Sequence, residues 1–211
     1  VAPAGAVPQT VPLGDTLIHA LSRSGKKTMD AAGSAQTPDG ALAVWVTPDL
    51  KKSAFEQQTA MRKAVVMLLA EHPQEITVLV TGAGTSRRTL AELAAHVLWV
   101  NGTPLPERKK KSAAKPLRAI RLFGHKAADG FAQTRAVAEG SQLCRELSVS
   151  PPNELTPGAY RQRLRTIARV YGWVREEYDF NRLKRMGAGT FCAVAQGSDE
   201  KDAAIVHLRY R

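Results

Sequence analysis

Three short apolar segments alternate with helical stretches between residues 41 and 123, and that alternation limits the fold more than any other property of the chain. Ala41–Thr47 lies between Pro38-Asp39-Gly40 and Pro48, an apolar run with turn residues on both sides, which predicts a strand. Met61, Ala64, Val65, Leu68 and Leu69 then recur at the spacing of one helical face, and Pro73 ends that helix. Glu75–Thr81 is rich in β-branched residues and reads as a second, buried strand. Gly82-Ala83-Gly84 turns the chain into a helix capped by Thr85 or Ser86, with Leu90, Leu93, Ala94, Val97 and Leu98 on its apolar face. A polar loop from Thr103 to Pro116 leads to a third strand, Ala119–Phe123. Strands alternating with helices predict a mainly parallel α/β sheet with helices on its faces, in a domain that ends near Ala128.

Gly130–Ser148 reads as one long helix that buries Ala136, Gly140, Leu143, Cys144 and Leu147. Pro151-Pro152 stops it, since proline removes a backbone donor and clashes with the preceding turn. Thr156-Pro157 starts another helix, a capping hydroxyl followed by proline at the first helical position. Tyr160, Leu164, Ile167, Ala168 and Tyr171 form its inner face, Arg161, Arg163, Arg165 and Arg169 point away, and Gly172 closes it. Trp173–Tyr178 is a short strand, Asp179 caps a helix running to Met186, and Ala203–Tyr210 is a final strand. The expected organisation is an N-terminal α/β domain over 1–128, a linker helix over 129–150, and the beginning of a second α/β domain over 151–211. The chain starts without Met and stops after a strand with neither turn nor cap, so it reads as interrupted.

Composition narrows the class. Hydrophobic residues at 44% and charged residues at 23% suit a globular protein. No apolar run approaches the roughly 20 residues of a membrane-spanning helix. Val1–Pro12 has no basic segment ahead of an apolar core and so does not read as a secretory signal. Cys144 and Cys192 lack metal or redox spacing and are expected to be reduced core residues of a cytoplasmic protein. Thirty Lys+Arg against nineteen Asp+Glu give a net charge of +11. Such a surface attracts polyanions in a salt-sensitive way. It equally suits an enzyme from a basic proteome, or half a protein whose acidic half lies elsewhere.

Few motifs carry chemistry. The strand-to-helix turn Gly82–Arg88 could hold an anion through Arg87 or Arg88 at a helix N-terminus. It has Arg87 in place of a third glycine and no Gly-Lys-Ser/Thr, so it is neither a dinucleotide fingerprint nor a phosphate loop, and a plain tight turn accounts for it. Lys109, Lys110 and Lys111, beside Arg108, could contact nucleic-acid phosphates, yet no aromatic residues are interleaved to stack bases. The alternative is a solvated loop. His19, His72, His96, His125 and His207 are scattered without an HExxH pattern, and no Gly-x-Ser-x-Gly elbow occurs. Asp199, Glu200 and Asp202 form the one tight acidic cluster in the second half, and they read as a solvated turn. No catalytic or metal-binding residue is assigned.

A more specific signal lies in Ser148–Pro157 (SVSPPNELTP) and Leu183–Ser198 (LKRMGAGTFCAVAQGS). In order and spacing these segments resemble the start of the catalytic domain of leucyl (cytosol) aminopeptidases, with Ala188 where that family usually has a second Met. The resemblance implies a macro-like N-terminal domain, a second domain of zinc-exopeptidase type and a two-metal enzyme that releases N-terminal amino acids from peptides. It implies two divalent ions, zinc or manganese, that activate water and polarise the scissile carbonyl. It also implies a cytoplasmic homo-oligomer, a hexamer, acting on peptide substrates and not associated with membrane. In that family the metal ligands and the catalytic lysine and arginine follow the segment matched here, so this chain alone is expected to bind no catalytic metal and to be inactive. The alternative is a stand-alone basic module that binds nucleic acid or another polyanion without enzymatic activity.

Overall fold

The computed structural model describes residues 1–4, 6, 9, 11–23, 32–107 and 115–210. Two compact units divide between Glu146 and Leu147. The first contains α1 (Gly14–Arg23), β1 (Ala32–Gln36), β2 (Leu42–Val46), α2 (Ala54–Leu69), β3 (Glu75–Leu79), α3 (Gly84–Gly102), β4 (Ala119–Phe123) and most of α4 (Ala132–Val149). The second contains α5 (Pro157–Val170), β5 (Val174–Asp179), α6 (Phe180–Arg185), α7 (Gly189–Ala195) and β6 (Ala204–Arg209).

The α/β class is as the alternation predicts, and the parallel pairing lies between β3 and β4, in register from Glu75 opposite Ala119 to Leu79 opposite Phe123. The pairs β1–β2 and β5–β6 are antiparallel. Residues 1–2 join the two pairs of the first unit. Ala2 N–H donates to Val46 O (3.0 Å), Thr81 N–H to Val1 O (2.9 Å) and Val1 N to Leu79 O (2.6 Å). The extended start of the chain therefore lies between β2 and β3. β1, with the sequence AGSAQ, has no strand signature of its own and forms by pairing with β2.

β3 alternates, with Ile76 and Val78 buried and Glu75, Thr77 and Leu79 exposed. It is a half-buried strand and not the fully buried one expected, because α2 and α3 cover only the face carrying Ile76 and Val78. Met61, Ala64 and Val65 of α2 meet Leu90, Ala91, Ala94, Val97 and Leu98 of α3 over Val46, Ile76, Val78 and Val80. Leu17 of α1 packs with Val11 and Trp45 in a smaller cluster. At the end of β4 the backbone turns at Gly124 with φ +94°, where a Cβ would run into the Val80 carbonyl.

Helix ends follow local chemistry. Ser53 and Glu56 cap α2 reciprocally. α3 starts at Gly84 behind Ala83, whose side chain makes no capping bond. Thr85 and Ser86 are thus already inside the first turn and do not cap the helix as expected. α4 also departs from expectation: Ala136, Gly140 and Cys144 are exposed, Leu143 and Leu147 are half-buried, and Ala138 is the buried residue. The helix is rotated so that polar side chains face α3. Gln142 Nε2 donates to Trp99 O (2.6 Å), and Arg145 Nη1 donates to Val100 O. These are carbonyls in the last turn of α3, which the helix itself leaves without partners. Neither exposed Cys144 nor half-buried Cys192 forms a disulfide among the described residues, and neither is a core residue.

In the second unit Thr156 caps α5, accepting from Ala159 N–H (3.2 Å), with Pro157 in the first turn. The helix ends at Gly172, φ +67°, where Trp173 N–H reaches back to Ala168 O (2.8 Å). Tyr160 and Tyr171 are exposed and not on an inner face; Tyr171 stacks on Trp173 with centroids 5.5 Å apart. Asp179 caps α6 through Arg182 N–H (2.7 Å). α7 is a helix that the glycine-spaced sequence does not announce. None of its residues is fully buried, and Val194 is 81% exposed.

Candidate functional site

In the second unit the antiparallel register sets two side-chain faces. Arg175 and Glu177 share one with Val206 and Leu208; Glu176 and Tyr178 share the other with Ile205 and His207. On the first face, Glu177 pairs with both Arg161 of α5 and Arg175, all three side chains being mostly buried. Arg161, expected to point away, is therefore turned inward, and its Nη1 also donates to Asp202 O (2.5 Å). Burial, then the charges of Arg165 and Arg161, push the Arg175 guanidinium below its ordinary pKa. On the second face Arg182 lies 4.0 Å from the Tyr178 ring centroid and reaches Glu176 Oε1 at 3.1 Å. Hydrogen bonds from Tyr178 and then Arg182 hold Glu176 below the usual carboxylate range. Asp202 of the acidic turn is also committed, accepting from Gly158 N–H at 2.7 Å in the first turn of α5. The arrangement fixes α5, β5 and β6 together and leaves these carboxylates occupied by cations and helix ends.

In the first unit a cleft of ≈ 250 Å³ is lined by Phe55, Gln58, Thr59 and Arg62 of α2, by His96, Val97, Val100 and Asn101 of α3, and by Arg145 of α4. Burial lowers the His96 pKa, and burial followed by the charge of Arg62 lowers that of Arg145. The sequence reading missed this group because three separate helices supply it. Its one local sign is the spacing of Phe55, Gln58, Thr59 and Arg62, which puts polar groups on a single helical face.

Arg87 Nε donates to Gly82 O (2.7 Å) and its Nη1 to Gly124 O (3.3 Å), tying the turn after β3 to the turn after β4. Arg88 pairs with Glu92 at 2.8 Å. Lys109, Lys110 and Lys111 lie outside the described residues. Asp199 and Glu200 are exposed. Among the described residues no three His, Cys, Asp or Glu side chains converge as a metal site would require, and no helix is long and apolar enough to cross a membrane.

Residues 142–211 match the cytosol aminopeptidase family, catalytic domain. A probable cytosol aminopeptidase of Pseudomonas aeruginosa is 32% identical over 137 residues, covering 61% of this chain and 26% of that protein. One from Prochlorococcus marinus is 36% identical over 75 residues, 36% of this chain and 15% of the relative. The chain thus spans about a quarter or less of the length of these curated relatives. Among solved structures, a tomato leucine aminopeptidase mutant superposes with a TM-score of 0.74 at 18% identity, over 93% of this chain and 41% of that one. The bottromycin maturation enzyme BotP, solved in complex with Mn, gives 0.67 at 22% identity, over 100% and 44%. The match of residues 142–211 to that catalytic domain, the sequence relatives and the shared fold agree in likening this chain to leucyl (cytosol) aminopeptidases.

Proposed function

We propose that this chain is the N-terminal part of a cytoplasmic two-metal exopeptidase that releases N-terminal amino acids from peptides, and that it contributes scaffold rather than catalysis. The observation that carries the reading is the match of residues 142–211 to the family's catalytic domain. The side chains of that segment support the scaffold role. Glu177 is held by two arginines, Glu176 by Arg182, Asp179 caps α6 and Asp202 caps α5. Two-metal hydrolysis needs several carboxylates converging on ions roughly 3.5–4 Å apart. These acids do not fit such a site, because each is directed at a cation or a helix N-terminus. In this reading zinc or manganese is held by other parts of a longer protein, which would act on peptides as a hexamer, and no step of hydrolysis runs through the residues described.

The test is to titrate the 211-residue chain with Zn²⁺ or Mn²⁺ and assay it on a leucine amide. The expected result is neither stoichiometric micromolar binding nor turnover. Tight metal binding with turnover would overturn the scaffold role, and Asp199, Glu200 and Asp202 would be the first residues to replace.

A further inference from the structure

We propose that the cleft lined by Arg62, His96 and Arg145 is a binding site for a phosphate-type oxyanion, free or carried as the monoester of a nucleoside. This is independent of the aminopeptidase reading. Its basis is an uncompensated positive charge in a concave place. Two guanidinium groups and an imidazole line the cleft, and among the described residues no aspartate or glutamate lines it with them. Like charges held together in a partly dehydrated recess repel, and an anion entering between them relieves that repulsion.

The donors suit a phosphate. A guanidinium has five N–H groups in a planar fork that matches two oxygens of a phosphate. Arg145 spends Nη1 on Val100 O, which fixes the side chain and leaves further donors for a ligand. Arg62 makes no ion pair among the described residues, and its side chain is exposed on α2. Thr59 and Asn101 are committed to helix carbonyls, Phe55 O at 2.7 Å and Val97 O at 2.8 Å, and so shape the cleft without competing for the anion. A volume of ≈ 250 Å³ admits a phosphate with a small attached group. A nucleic-acid duplex, whose major groove alone is about 12 Å wide, does not enter it. Phe55, 77% exposed, stands at the same recess and offers a flat apolar surface to such a group.

His96 supplies the reporter. Burial keeps its imidazole below the ordinary pKa, and a neighbouring anion would raise it. The experiment follows the His96 ring resonances of the 211-residue chain during titration with inorganic phosphate, and separately with adenosine monophosphate and adenosine, against sodium chloride at matched ionic strength. The expected result is a saturable shift with phosphate and the monophosphate and none with adenosine or chloride. Arg62→Gln should weaken it roughly tenfold and Arg62→Lys by less, because one charge-assisted pair is lost or kept. Equal affinity for phosphate and the monophosphate assigns recognition to the anion alone; tighter monophosphate binding adds Phe55. No saturable shift with either phosphate compound, an equal response in Arg62→Gln with an unchanged amide spectrum, or binding of adenosine as tight as its monophosphate would overturn the proposal.

Discussion

Glu177 stands between two arginines, so the consequence of losing its charge is unusually one-sided. In Glu177→Gln both Arg161 and Arg175 keep their charges in a mostly buried setting with no anion to offset them. Breaking a buried pair from one side costs about 3 kcal/mol, and urea unfolding followed through Trp173 should show a loss of that order. Replacing Arg175 by Met as well should recover part of it; an unchanged midpoint in the single variant would mean that water reaches the pair. Gly124→Ala should cost about 2 kcal/mol or more, since its φ of +94° and the adjacent Val80 carbonyl both exclude a Cβ. At this scale the sequence was readable where the chemistry is local. Thr156 caps α5 and Asp179 caps α6, because a capping side chain needs only the next three residues. The inward turn of Arg161 is not legible in the sequence, because its partner Glu177 lies on a different element and helical spacing says nothing about a strand 16 residues away.

Among the elements, α3 is both the best-read and the most consequential. Its apolar face was legible from period alone, since Leu90, Ala94, Val97 and Leu98 are all buried. Its start was not, because Thr85 and Ser86 resemble caps in sequence but occupy the first turn of a helix that begins at Gly84. His96 makes the first unit sensitive to pH. Burial lowers its pKa in the folded state, so the unfolded chain binds a proton that the folded chain resists. The stability associated with this residue is therefore intact above the ordinary imidazole pKa of about 6.5 and falls as the pH drops below it. The urea midpoint should decrease from pH 7.5 to 5.5, and His96→Gln should flatten that decrease. A midpoint that rises on acidification would contradict the assigned sign. The orientation of α4 is not legible from its period, because the packing face of a helix is usually apolar, whereas here it carries Gln142 and Arg145.

At the scale of the whole molecule, alternation made the α/β class legible, and the first strand pair was not, because AGSAQ forms β1 only through β2. The cleft was invisible for a related reason: its residues share no stretch of chain. Two features bear on behaviour in solution. Among the described residues, β6 pairs only with β5, and Ile205, Tyr210 and Val194 are exposed. A two-stranded sheet with such surface is marginal and tends to associate. Sedimentation should show mass increasing with concentration, and a clean monomer at high concentration would count against this. The charge of +11 should give duplex DNA binding that weakens steeply with salt, and reversing Lys109, Lys110 and Lys111 should weaken it on every sequence alike. Binding that survives ~0.5 M salt would require base-edge readout.

The seating of α4 on the last turn of α3 also orders how the first unit opens. Apolar burial locks α3 into the core, but α4 is held there chiefly by Ala138 and by side-chain bonds to Trp99 O and Val100 O. A contact of that kind removes little apolar area from water, so releasing it takes a small fraction of the free energy of global unfolding and a small change in heat capacity. Amide exchange over residues 132–146 should accordingly be faster than over 90–98 and nearly independent of urea, the mark of a local opening, while the buried half of α3 exchanges only when the whole unit unfolds.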